Sequence, residues 1–380
     1  MDFLKTLSIV LFSTALAGQC SKKIGIPAVI GQLLVGIFLG PAVLNWVAND
    51  HFMHYFAEIG VILLMFMAGL ESDLALLKKY LKPATSVAIF GVIVPIIVIY
   101  GLGRLFNFDV HQALFLGIIF AATSVSISVE VLKELKKIDT KEGTTILGAA
   151  VIDDIMAVLI LSTLVSIFSQ NNSQQIPLSM SLLMQLGYFL GVALLFLITP
   201  FIVKNAQKLT LPASEILVAL ILCFLMAYLA DLVGLSGVVG AFFAGVSLGQ
   251  TSLQHKINAG IEPIGYAVFI PMFFVSIGLN MTFKGFLGDL IFIIPLTILA
   301  LLTKWIGCGF GAKILGMDYL SANIIGAGMV SRGEMALIIA QIGASAKLLS
   351  SQYYSGVIVA IILTTVLAPF MLKDALQRQK

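Results

Sequence analysis

Thirteen apolar runs, most of them about 17–25 residues long, follow one another along this 380-residue chain and leave it one kind of place to fold. A run of that length spans the hydrocarbon of a bilayer as an α-helix, the form that satisfies every backbone N–H and C=O within the segment. The runs lie at 2–20, 27–45, 54–71, 83–105, 110–131, 143–168, 178–202, 213–233, 235–250, 258–280, 286–312, 319–346 and 353–372. The expected fold is therefore an all-α polytopic membrane protein with about 13 transmembrane helices. Only 11% of the residues are charged and 59% are hydrophobic, where a soluble domain carries about 25% charge. The net charge of +3 gives no argument for nucleic acid. Cys20, Cys223 and Cys308 lie singly in apolar stretches and read as small apolar residues. The first run has no basic segment ahead of it and reads as a membrane helix, not a cleaved signal. The chain ends eight residues after the last run, so no soluble domain is expected to follow.

Basic residues orient the runs. Alternate loops and the C-terminal tail hold sixteen lysines and arginines, from Lys22 and Lys23 to Arg378 and Lys380. The other side holds four: Lys5, Arg104, Lys284 and Lys347. The positive-inside rule then places the N-terminus outside and the C-terminus in the cytoplasm of a cell-membrane protein. The chain also repeats itself. Ala28 to Gly40 aligns without gaps to Gly237 to Gly249, and Glu58 and Ala68-Gly-Leu70 are echoed by Glu262 and Ile277-Gly-Leu279. The matching runs are an odd number of spans apart, so they cross in opposite directions. This predicts an inverted repeat: residues 1–170, then a connecting helix over 178–202, then residues 213–372. Secondary transporters use such repeats and keep their site at the repeat interface.

Against this apolar background the charged residues inside runs stand out. Asp153 and Asp154 are adjacent, roughly 15 Å along a helix from Gly143 and so near the bilayer centre. A charge there costs about 2.5–3.5 kcal/mol, which points to an ion or proton site over a pair kept for internal packing. Neighbouring helical residues point about 100° apart, so the two carboxylates serve different partners. Lys304, deep in the eleventh run, is the expected partner of one; the alternative is that it snorkels toward Lys313. Such a cluster binds protons or a hard cation in competition, which is what exchange requires. The fifth run holds Ala121-Ala-Thr-Ser-Val-Ser-Ile-Ser128, and its hydroxyls either bridge a bend or pack between helices. The twelfth holds Gly326-Ala-Gly-Met-Val-Ser-Arg-Gly-Glu334, where a direct Arg332–Glu334 pair would need irregular backbone. Interruptions at matching places in two repeats point to a transport site. His51, His54, His111 and His255 lack metal-ligand spacing, and Lys133, Glu134, Lys136 and Lys137 read as a solvated loop. No nucleophile elbow, P-loop or HExxH string occurs, so an enzyme is not expected.

Taken together, Val151-Ile-Asp-Asp-Ile155, Lys304, Ala122-Thr-Ser-Val125 and Ser331-Arg-Gly-Glu334 resemble the cation/proton antiporter superfamily, most closely the bacterial NapA-type sodium/proton antiporters of its second branch. The resemblance implies two interrupted helices, in runs five and twelve, that cross near the aspartates. It implies a moving core domain over 83–168 and 286–372 and a dimerisation domain over 1–71 and 213–280, in a homodimer. It implies Asp154 as carrier of the monovalent cation and the proton, Asp153 paired with Lys304, and Thr123 and Ser124 lining the ion site. Arg332 and Glu334 would stabilise the crossing. The implied activity is electrogenic exchange of sodium or lithium for protons by alternating access, with potassium as the alternative cation and no cofactor. Two features depart from neighbouring branches: no Gln-Asp pair is present, and no appended nucleotide-binding domain is expected. Run five also lacks Pro or Gly at its supposed interruption.

Overall fold

The computed structural model describes residues 2–24, 28–168, 178–281, 290–345, 348–349 and 351–378. Every regular element among them is helical. In chain order these are α1 (Asp2–Lys23), α2 (Ala28–Leu39), α3 (His51–Glu71), the short α4 (Leu74–Lys79), α5 (Leu81–Leu105), α6 (Val110–Ile119), α7 (Val125–Glu134), α8 (Lys141–Phe168) and α9 (Leu178–Ala206). Then follow α10 (Ser214–Leu232), α11 (Gly237–Gly249), α12 (Gln254–Ile264), a π-helical turn (Gly265–Phe269), α13 (Ile270–Leu279), α14 (Leu290–Ile314), α15 (Tyr319–Gly328), α16 (Glu334–Ser345) and α17 (Ser351–Gln377). Eight helical stretches are long and apolar enough to cross a membrane, and α2, α6 and α11 are shorter apolar helices. The fifth and twelfth apolar runs are each split, into α6–α7 and α15–α16.

The register shift of 209 residues that carries Ala28 onto Gly237 holds far beyond the matching strings. It carries Leu81–Leu105 onto Leu290–Ile314, Val110–Ile119 onto Tyr319–Gly328, and the start of α7 at Val125 onto the start of α16 at Glu334. The ends of α8 and α17, Phe168 and Gln377, correspond in the same way. Even a cap recurs: Asp109 accepts from the Gln112 amide at 2.8 Å, and Asp318 from the Ser321 amide at 3.1 Å. Each carboxylate satisfies an amide that a helix start leaves without an intrahelical partner.

Packing follows the repeat reciprocally. α2 packs on α13 while its counterpart α11 packs on α3. At both crossings glycines meet at corresponding positions. A Cβ on Gly36 would lie 2.9 Å from the Cα of Gly278, and one on Gly245 would lie 3.0 Å from the Cα of Gly69. Both would also strike a carbonyl, of Val275 and of Phe66, so the helices approach as closely as they do because no side chain intervenes. Around the two breaks, α5 packs on α14, α6 and α8, and α14 packs on α15 and α17. The lysine-bearing loops and the helix ends beside them gather on one face, where Lys141–Asp318 (2.7 Å), Lys133–Glu71 (3.0 Å) and Lys256–Glu215 (2.7 Å) tie helix ends together.

Candidate functional site

The two breaks, residues 120–124 and 329–333, stitch each other together. The Ser124 amide donates to the Ser331 carbonyl at 2.9 Å, and the Ser331 hydroxyl donates back to the Ser124 carbonyl at 2.5 Å. The Ser128 hydroxyl reaches the Gly328 carbonyl at 2.5 Å. The first break contains no Pro or Gly, so its cause is tertiary: the second break offers the partners that helical backbone would have supplied. Gly333 permits the approach, because a Cβ there would collide with the Ser124 side chain.

A broken helix exposes carbonyls and the negative end of a dipole. Two cations answer them. Lys304 and Arg332 are both fully buried. Lys304 Nζ donates to the Ala121 carbonyl at 2.5 Å and to Asp153 Oδ1 at 3.0 Å. Arg332 donates to the carbonyls of Phe120 (3.0 Å), Ala300 (3.0 Å) and Val330, and the Thr365 hydroxyl donates to the Arg332 carbonyl. Arg332 thus binds carbonyls of both breaks and of α14, while the expected Arg332–Glu334 contact involves a side chain outside the described residues.

Asp153 is buried, yet its Oδ2 has no hydrogen-bond partner among the described residues; the same holds for Thr123 Oγ1 in the first break and Ser126 Oγ just after it. Buried polar atoms are seldom left so, and here hard oxygen acceptors lie beside the crossing. Such oxygens can take a proton or a small cation. Asp154 lies in α8 and Glu334 opens α16, but both side chains lie outside the described residues. Ser124 gives its backbone to the crossing.

The sequence reading missed a second group. Lys133 and Glu134 are not a solvated loop; they close α7, with the Lys133 side chain only 7% exposed. Lys133 Nζ lies 3.0 Å from Glu71 Oε1, a contact of charge more than an aligned hydrogen bond, and 5.7 Å from the Tyr266 ring. The Tyr266 hydroxyl donates to Glu130 at 2.8 Å, and Glu134 accepts from the Ala28 amide at the start of α2 at 3.0 Å. The spacing 130, 133, 134 puts all three on one helical face, a signal the sequence did carry.

On the face away from the lysine-bearing loops a cavity of about 970 Å³ opens. It passes between α3, α11 and α13 on one side and α16 and α17 on the other, and reaches Met335 and Leu337 in the first turn beyond the second break. Asp50, Glu58 and Asp231 line it, giving its wall a negative character.

Comparison with known proteins agrees with this architecture. The family described as "Sodium/hydrogen exchanger, transmembrane" matches residues 8–378. A Na(+)/H(+) antiporter of Enterococcus hirae is 50% identical over 374 residues, covering 98% of both chains. A Na(+)/H(+)-K(+) antiporter, GerN, of Bacillus cereus is 44% identical, covering 98% of this chain and 96% of its own. The solved structure of a sodium proton antiporter from Methanocaldococcus jannaschii at pH 8 has the same fold, with a TM-score of 0.68 at 17% identity over 99% of both chains.

Proposed function

The chain belongs to the sodium/hydrogen exchanger family, and from that premise we propose that it is an electrogenic sodium (or lithium)/proton antiporter working by alternating access. The observation that carries the reading is the Asp153–Lys304 pair beside two stitched helix breaks, with Asp153 Oδ2 and Thr123 Oγ1 left as unpartnered oxygens. In this reading Asp154 alternates between proton and cation, Thr123 and the backbone of Ser124 complete the oxygen set, and Asp153 exchanges partners with Lys304 as the site loads. Arg332 and Glu334 hold the crossing. A site that is ionised and empty crosses the bilayer poorly, because bare charge is costly there, so transport of one ion waits on the other.

Residues 83–168 and 286–372 would move as a core against residues 1–71 and 213–280, linked by 178–202. The packing of α5, α6, α8, α14, α15 and α17 around the breaks supports the first group, and the reciprocal α2–α13 and α3–α11 crossings support the second. The second group would also form a homodimer. The lysine-bearing face would be cytoplasmic in a cell membrane, which leaves the cavity open to the outside.

Purified protein in proteoliposomes tests this. Sodium and lithium should collapse a pH gradient at a rate that responds to an imposed membrane potential, and Asp154→Asn should abolish exchange while the thermal midpoint is retained. Transport indifferent to potential removes electrogenicity; full activity in Asp154→Asn removes Asp154 as carrier. Potassium belongs in the same assay, because a relative 44% identical to this chain carries potassium in its name.

A further inference from the structure

The face opposite the cavity is closed by α7, and the contacts that close it run to elements outside the packed group around the breaks. We propose that Glu130, Lys133 and Glu134 form the moving half of a gate on the lysine-bearing face, with Tyr266, Glu71 and the Ala28 amide as its stationary half. The inference rests on the alternating-access reading above.

Four contacts make the seam: Tyr266 to Glu130 at 2.8 Å, Lys133 to Glu71 at 3.0 Å, Lys133 over the Tyr266 ring at 5.7 Å, and the Ala28 amide to Glu134 at 3.0 Å. Each joins α7 to α2, to α3 or to the π-helical turn. That turn, Gly265–Phe269, breaks the regular rotation between α12 and α13, and Tyr266 sits within it. π-Turns of this kind frequently mark functional positions. Glu130 is 8% exposed, so its contact with Tyr266 is shielded from water and stronger than a surface hydrogen bond.

The repeat supplies an independent argument. Under the 209-residue shift α7 corresponds to α16, α2 to α11, and α3 to the stretch ending in α13. In the first half these elements meet at the seam. In the second half the corresponding joint is the cavity, lined by Met335 and Leu337 of α16, Val238 of α11, and Ser276 and Ile277 of α13. One structure therefore holds the same joint twice, shut on one face and open on the other. A site that alternates must open the first when it shuts the second.

Tethering the seam tests the gate in the full-length protein in proteoliposomes. The background is Cys20→Ser, since Cys223 and Cys308 are buried. Glu71→Cys and Lys133→Cys are bridged by a short bifunctional thiol reagent. Exchange should fall about tenfold or more, as it must when a required conformation is withheld, and return on reduction. Each single-cysteine variant should keep its own untreated rate. Unchanged exchange in the tethered protein overturns the gate.

A second arm reads opening without transport. Ser126→Cys, on α7 between the break and the seam, should react slowly with a membrane-impermeant thiol reagent added on the lysine-bearing side. Adding Glu71→Lys, which sets two ammonium groups against each other, should speed labelling about tenfold, and the exchanged pair Glu71→Lys with Lys133→Glu should reverse it. Labelling unmoved by Glu71→Lys overturns the gate. If the untethered protein exchanges nothing, the function proposed above fails, and this labelling still decides the gate.

Discussion

Lys304 shows how far a single residue can be followed from sequence. An ammonium deep in an apolar run needs a carboxylate, and the structure sets it 3.0 Å from Asp153 with neither exposed by more than 1%. Lys304→Ala should lower the unfolding free energy by about 3–5 kcal/mol, because it strands a buried carboxylate. Asp153→Asn combined with Lys304→Gln should recover most of that loss, read as the thermal midpoint in detergent. A double variant no more stable than Lys304→Ala would show the pair to be energetically irrelevant. Glu130 and Lys133 were harder to see. Their burial depends on Tyr266 and Glu71, far away in sequence, and a cluster of charges after an apolar run has the same composition whether water or a helix covers it. Arg332 was legible as unusual but not as a donor to carbonyls, since those acceptors exist only once two helices have broken and crossed.

The elements were legible where periodicity and length decide them, and least so where tertiary contacts do. The break in the fifth run carries no Pro or Gly; it exists because Ser331 supplies partners for Ser124, Arg332 for Phe120 and Lys304 for Ala121. The glycines were legible as a repeated pattern, and the structure adds their reason. Gly245→Ala should destabilise the protein by about 1–3 kcal/mol or more through overpacking, since the new methyl group meets the Phe66 carbonyl. Gly36→Ala should behave alike at the corresponding crossing, and a thermal midpoint unchanged in both would contradict the close approach. The α15 start offers a test against pH. The hydrogen bond from Lys141, then the Ser321 hydroxyl and amide, hold the Asp318 carboxyl below the usual carboxylate range. A lowered folded-state value stabilises above the unfolded value, near 3.9, and the benefit fades as pH falls through the folded one. Asp318→Asn should therefore lower the thermal midpoint at pH 7, and the gap from the unaltered protein should narrow as pH drops below about 4. A gap constant with pH would mean that the carboxylate's charge is not what the site uses.

At the scale of the molecule, two inverted halves with one constant register make the protein its own template. Under the alternating-access reading, giving each residue the backbone angles of its counterpart 209 positions away would draw the oppositely facing conformer without any external reference. Two such conformers would reuse one set of helix crossings and would differ at the joint, where the two halves differ in sequence. On one side stand Glu130, Lys133 and Glu134; at the corresponding places on the other stand Ile339, Ile342 and Gly343. The closed joint is made with charged side chains, and the counterpart positions carry uncharged residues in the sequence. Salt screens contacts between charges, so high ionic strength should weaken the closed joint more than an uncharged one. If the chain alternates as proposed above, the balance between its two orientations should respond to the ionic composition of the medium.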